Sequence, residues 1–129
     1  KQDPTLTVTQ QACPMWVPLI ESGEHLQSGA DYFVEKYLTE LLTRDPLIDT
    51  IILGCTHYPF LISTIEKIAR KEFPQRSINV IDPAPAVARH LLEVMAEEGI
   101  SEKTATGYSI ELHSSGDPAN LQRTFQNLL

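Results

Sequence analysis

Three features of the sequence predict an α/β fold with a mostly parallel sheet flanked by helices. Strand-like and helix-like segments alternate about four times along the 129 residues, the order that builds strand–helix–strand units. One strand candidate, Thr50-Ile51-Ile52-Leu53, is a nearly continuous apolar run, as expected of a parallel strand covered on both faces. Two strand candidates stop at polar turns that open helices, one at Gly54 to Pro59 and one at Asp82-Pro83-Ala84-Pro85. In such folds ligands gather at the carboxyl ends of the strands.

Taken in order, Thr5-Leu6-Thr7-Val8-Thr9 alternates and is β-branched, which predicts a short strand. Residues 12–21 carry Pro14 and Pro18 and are predicted to be extended or looped. Gly23 and Gly29 bracket a connector. Over residues 30–42, Phe33, Val34, Tyr37, Leu38, Leu41 and Leu42 fall at helical spacing, with Ser28 as a cap and Asp31 as a favourable charge near the start. After the apolar strand, Pro59 is placed to begin a helix whose buried stripe is Leu61, Ile65, Ile68 and Ala69. Ile78-Asn79-Val80-Ile81 is the next strand. Asp82 and Pro83 then start a helix through Val87, Leu91, Val94 and Met95 that stops at Gly99. Tyr108-Ser109-Ile110-Glu111-Leu112 reads as a half-exposed strand, and Gly116-Asp117-Pro118 opens a last helix with Leu121, Phe125 and Leu128.

Composition narrows the function classes. With 42% hydrophobic and 21% charged residues the chain is that of an ordinary globular protein. No apolar run approaches the roughly 18 residues of a membrane span, and Lys1-Gln2-Asp3-Pro4 does not open a signal peptide. The net charge is −7 and the ten Lys and Arg are scattered, so a polyanion is repelled and nucleic acid is not expected as a partner. A small anion remains compatible, because a pocket can be locally positive. Cys13 and Cys55 show neither a disulfide framework nor Cys-x-x-Cys spacing, which suits a reducing cytoplasm.

Chemistry concentrates at Cys55-Thr56-His57. A thiol between a strand and a helix sits near free backbone N–H groups, and a helix N-terminus favours the thiolate. His57 is able to bond a substrate, share a proton with the thiol or stabilise its thiolate, and Thr56 offers a hydroxyl and an N–H to a carboxylate. A buried cysteine beside a turn histidine, without chemistry, is the competing reading. Cys13, His25, Cys55 and His57 do not have the spacing of a zinc site, so no metal is expected. Glu21 is either a surface charge or a carboxylate brought to the site. Cys13 reads as a packed thiol, and Asp82 and Asp117 as helix caps.

Leu53-Gly54-Cys55-Thr56-His57-Tyr58-Pro59-Phe60-Leu61 resembles the second-cysteine signature of glutamate racemases, within the aspartate/glutamate racemase family. Residues 12–21, with Ala12-Cys13-Pro14 and a terminal Glu21, resemble that family's upstream segment, and Val80-Ile81-Asp82-Pro83-Ala84 and Ser115-Gly116-Asp117-Pro118 are similar to its later landmarks. The resemblance implies a two-domain racemase fold and a two-base racemisation of glutamate that uses no cofactor and no metal, supplying D-glutamate for peptidoglycan in the cytoplasm. It implies Cys55, His57 and Glu21 as catalytic residues, Thr56 and His57 as substrate-binding residues, and a homodimer for the full-length protein. Aspartate racemases typically carry Glu where His57 stands, which favours glutamate; aspartate is the alternative substrate, and a non-catalytic binding module or a Cys–His hydrolase are the alternatives in kind. The family's first cysteine turn, of Gly-Cys-Asn-Thr type, does not occur here, and Cys13 lies in a different element. Residues 1–83 are therefore expected to end the second domain and residues 84–129 to return to the first, with the chain inactive by itself.

Overall fold

The first helix forms where the prolines predict an extended segment. In the computed structural model, which describes residues 3–100 and 109–128, α1 spans Trp16–Glu21. Pro18 is its third residue, inside a first turn whose N–H groups lack intrahelical partners anyway, so the ring removes no bond. Gly23 ends α1 in the left-handed conformation at φ 78°, its N–H donating to the Ile20 carbonyl at 3.0 Å. A short 3-10 turn, Glu24–Leu26, follows.

The chain divides into two units, Lys1–Ile81 and Asp82–Leu129. In the first, α2 spans Ser28–Arg44 and buries Ala30, Val34, Tyr37, Leu38 and Leu42; of the stripe its periodicity predicts, Phe33 and Leu41 are only half-buried. Ser28 does not cap it. The helix starts a residue earlier than the capping pattern implies, because Gln27 is already extended and its carbonyl takes the Ala30 N–H at 3.0 Å. The next helix, α3, spans Ile62–Glu72 and buries Ile65, Ile68 and Ala69. It packs against α2, and Asp31 is drawn across to Lys67 Nζ at 2.7 Å. Each fully buried Leu or Ile in this layer contributes on the order of 1.5–3 kcal/mol.

Strands β1 (Thr50–Ile52) and β2 (Asn79–Ile81) pair in parallel, with Ile51 opposite Val80. The loop that delivers β1 is held by Arg76, whose guanidinium donates to the carbonyls of Leu42 at 2.8 Å, Asp45 at 3.5 Å, and Ile48. These carbonyls lie at the end of α2 and in the turn after it, where intrahelical donors run out. Ile51 and Leu53 are buried, but Ile52 is 66% exposed. The apolar run predicted cover on both faces; within the described residues only one face is covered.

Two predicted strands carry no ladder. Residues 6–12 have no assigned structure, with Leu6 and Val8 exposed. Tyr108 lies outside the described residues, and residues 109–112 are unpaired, with Ile110 exposed. Alternation favours an extended backbone, but a strand also needs a neighbour. The described residues contain one two-stranded sheet.

In the second unit α4 spans Ala84–Glu97 and α5 spans Pro118–Leu128. Asp117 acts as predicted at the start of α5, its carboxylate accepting the Ala119 N–H at 3.0 Å; Asp82 lies one residue before the N-cap, Pro83, and is not itself the cap, although its carboxylate accepts the Ala84 N–H at 2.9 Å. Gly99, at φ 67°, stops α4 in a Schellman arrangement, with Ile100 N–H on the Met95 carbonyl at 2.8 Å and Gly99 N–H on Ala96 at 3.2 Å. The apolar stripe of α4 is not buried as predicted: Val87, Leu91 and Val94 are exposed and Met95 is half-buried. Among the described residues no helix is long and apolar enough to cross a membrane.

Candidate active site

Beyond β1 the chain makes one more sheet bond, from Leu53 N–H to the Ile81 carbonyl at 3.1 Å, and then turns. Tyr58 N–H closes on the Cys55 carbonyl at 3.2 Å and Phe60 N–H on His57 at 3.1 Å, leading into a 3-10 turn, Tyr58–Leu61. The helix predicted to start at Pro59 begins instead at Ile62, because the turn tightens around Pro59 first. Cys55 is thus separated from the N-terminus of α3 by a 3-10 turn, and its thiol does not stand directly at the helix start as the sequence suggests.

A side chain takes that place. His57 Nδ1 lies 3.9 Å from Cys55 Sγ and 3.5 Å from Thr56 Oγ1. Its other nitrogen, Nε2, lies 3.1 Å from Glu21 Oε1 at the end of α1, 36 positions away in the chain. A carboxylate only accepts, so Glu21 selects the imidazole with its proton on Nε2, leaving Nδ1 to accept from the thiol. Glu21 keeps 55% of its side chain exposed and His57 30%, so the pair itself stabilises the fold by about 0.2–1 kcal/mol at most. Its value is orientation. The structure therefore brings together all four residues singled out from the sequence, Cys55, Thr56, His57 and Glu21. Among the described residues, no hydrogen bond engages the backbone N–H groups of Thr56 and His57, which leaves two donors beside the thiol. An added Cβ at Gly54 would meet nothing within 4 Å, so the chain itself does not demand glycine there.

What sequence reasoning missed is the support beneath this turn. Tyr58 stacks edge-on against Trp16 at 4.8 Å and 79°, and its hydroxyl donates to the Cys13 carbonyl at 3.5 Å. Burial, and then negative charge on Cys13 and Cys55, raises the Tyr58 phenol above its ordinary range. The sequence signal was the aromatic directly after His57, facing the single Trp of the chain.

The two thiols differ. Cys55 is half-buried, whereas Cys13 is buried, and burial, followed by the Glu40 carboxylate, pushes its thiol from 9.0 up to about 12. Native protein at pH 8 is expected to react with iodoacetamide at Cys55 and not at Cys13. Raising the pH to 10 should leave Cys13 protected, because burial keeps it a thiol until near pH 12. Peptide mapping of the alkylated sites checks this, and equal labelling at pH 8 would contradict it. Elsewhere, His25 is buried against Phe60 at 6.2 Å, and among the described residues its Nδ1 has no hydrogen-bond partner. Among the described residues no three His, Cys, Asp or Glu side chains converge to hold a metal ion.

No protein-family model matches the sequence, but individual relatives do. The chain is 35% identical over 127 residues to the glutamate racemase of Thermoanaerobacter sp. (strain X514), an alignment covering 98% of this chain and 45% of the relative. To that of Desulforudis audaxviator it is 44% identical over 94 residues, covering 73% and 32%. Among solved structures, glutamate racemase from Thermus thermophilus, in complex with β-chloro-D-alanine, superposes with a TM-score of 0.75 at 28% identity, covering 92% of this chain and 42% of that one. The Francisella tularensis glutamate racemase, in complex with D-glutamate, shares the fold at a TM-score of 0.78 and 24% identity. The chain spans less than half the length of the curated relatives it matches. By sequence and by fold, residues 1–129 belong to the glutamate racemase family and correspond to its C-terminal half.

Proposed function

We propose that this chain supplies one of the two opposed acid–base faces of an enzyme that interconverts L- and D-glutamate without pyridoxal phosphate or metal. The observation that carries the reading is the relay Glu21–His57–Cys55, with contacts of 3.1 Å and 3.9 Å. As a thiolate, Cys55 removes the Cα proton; as a thiol, it returns one to the planar carbanion. His57 Nδ1 accepts the thiol proton when Cys55 must be a base, and Glu21 holds the imidazole and offsets its charge. Thr56, through its hydroxyl and N–H, and the N–H of His57 hold the substrate carboxylate. The second thiol works from the opposite face and comes from outside residues 1–129. Each turnover leaves one sulfur with a proton gained and the other with a proton lost, so the pair balances.

Glutamate is preferred to aspartate because His57 occupies the position where aspartate racemases carry Glu. The two free thiols support a reducing cytoplasm, where the product serves peptidoglycan synthesis, and the family resemblance supports a homodimer of the whole enzyme. The exposed stripe of α4 supports a division in which residues 84–129 return to the first domain.

The test is deuterium incorporation at glutamate Cα in D2O. Residues 1–129 alone are expected to give none. A chimera in which they replace the matched segment of the Thermoanaerobacter glutamate racemase is expected to give exchange and racemisation. Exchange by the isolated chain would refute the two-face reading, and a folded, inert chimera would refute the racemase reading.

A further inference from the structure

We infer that the hydroxyl of Tyr58 is a positioning group for the site: it fastens the head of α1 to the turn that carries Cys55, and so sets Glu21, at the tail of the same helix, within bonding distance of His57. The placement stands on geometry alone; its kinetic consequence rests on the racemase reading.

Two neighbouring residues of one turn grip the two ends of α1. At the tail, His57 Nε2 lies 3.1 Å from Glu21 Oε1. At the head, the Tyr58 hydroxyl donates to the Cys13 carbonyl at 3.5 Å. The same carbonyl takes the Trp16 N–H at 3.1 Å, where the helix begins. Between these points α1 is only six residues, Trp16–Glu21, roughly 9 Å long. A helix so short moves as a rod, so a shift at its head reappears at Glu21. The grip reaches Cys55 as well, because Tyr58 N–H donates to the Cys55 carbonyl at 3.2 Å. One residue thus holds the turn of the thiol with its backbone and α1 with its side chain.

The Glu21–His57 pair needs such support. Its side chains are 55% and 30% exposed, and an ion pair so open to water gains too little to fix its own geometry. Groups that pass protons must be held to within about 0.5 Å. The ring of Tyr58 packs edge-on against Trp16, a contact that a phenylalanine ring would also make, whereas the bond to Cys13 needs the hydroxyl. Burial, and then negative charge on Cys13 and Cys55, keeps the phenol above its ordinary range. The group therefore stays a donor while a thiol and an imidazole exchange protons, and it orients the relay without carrying a proton itself.

Tyr58→Phe removes the hydroxyl and keeps the ring. In residues 1–129 with isotope-labelled histidine, nitrogen NMR of the neutral His57 ring reads which nitrogen bears the proton. The substitution is expected to raise the Nδ1–H share about 2–10-fold, the equilibrium worth of one neutral hydrogen bond. In a Glu21→Gln background it should change nothing further, because the carboxylate it positions is gone. An unchanged tautomer, or the same effect with and without the Glu21 carboxylate, would overturn the inference, since a merely structural hydroxyl alters stability and leaves the ring alone. In the Thermoanaerobacter chimera the same variant should lower kcat about 2–10-fold with KM little changed, and again add nothing to Glu21→Gln. A shifted tautomer with kcat unmoved in an active chimera would overturn the role in the reaction. A shifted tautomer beside a parent chimera that is folded and inert would support the positioning and sink the racemase reading instead.

Discussion

Replacing Cys55 by Ser in the chimera is expected to lower kcat for racemisation by about 10²–10⁴-fold, the range that a positioned acid–base group supplies. A serine hydroxyl fits the same turn but gives up its proton far less readily than a thiol, so the Cys55 face can neither take nor return the Cα proton. The loss should be in kcat with KM little changed, because Thr56 and the N–H groups that hold the carboxylate stay in place. Protein with an unaltered fold and racemisation within tenfold of the parent would remove Cys55 from the mechanism. Glu21 acts one step away, through His57 Nε2 at 3.1 Å, and Glu21→Gln should have a smaller effect of a different kind. The Gln amide can donate as well as accept, so it no longer selects the imidazole with its proton on Nε2, and kcat should fall with KM little changed. A merely structural Glu21 would leave kcat where it was.

Trp16→Ala is expected to destabilise the first unit by about 3–5 kcal/mol, as for other buried large-to-small aromatic substitutions. The indole is 3% exposed, donates from Nε1 to the Phe33 carbonyl at 3.4 Å, and meets Tyr37 at 6.1 Å and Tyr58 at 4.8 Å edge to face. Its removal leaves a cavity between α1, α2 and the turn after Cys55. Urea unfolding followed by circular dichroism measures the loss, since the substitution deletes the single Trp that fluorescence would use. Trp16→Phe should recover most of the stability. A loss below about 1 kcal/mol would mean that the ring is not what joins these elements. Because Tyr58 leans on Trp16, the same substitution should loosen the position of His57 and Glu21 relative to Cys55 in any fold that survives.

How far the sequence carries the reader differs from element to element. The stripe Val34, Tyr37, Leu38, Leu42 marked α2, and the Gly99 stop marked the end of α4, because each depends on contacts within a turn or two. The carboxylate of Asp117 was legible as a cap for the same reason. Pro18 misled because a proline is harmless in a first turn, and nothing local says where that turn begins. Ser28 misled because the backbone of Gln27, not a hydroxyl, sets the start of α2.

At the site, the motif around Cys55 named the thiol and its neighbours, and the preceding apolar run placed them at the end of a strand. That much is local chemistry and was readable. The bond between Glu21 and His57 was not, since 36 residues and two packed helices set it. Nor was the 3-10 turn that parts Cys55 from α3. The sequence by itself determined which segments coil, which extend, and which thiol stands at a strand end, because backbone propensity and side-chain periodicity act over a few residues. Only the tertiary structure decided which extended segments pair, which face of β1 is covered and which carboxylate reaches the histidine. Ladders, cover and long-range hydrogen bonds depend on partners that no single segment contains.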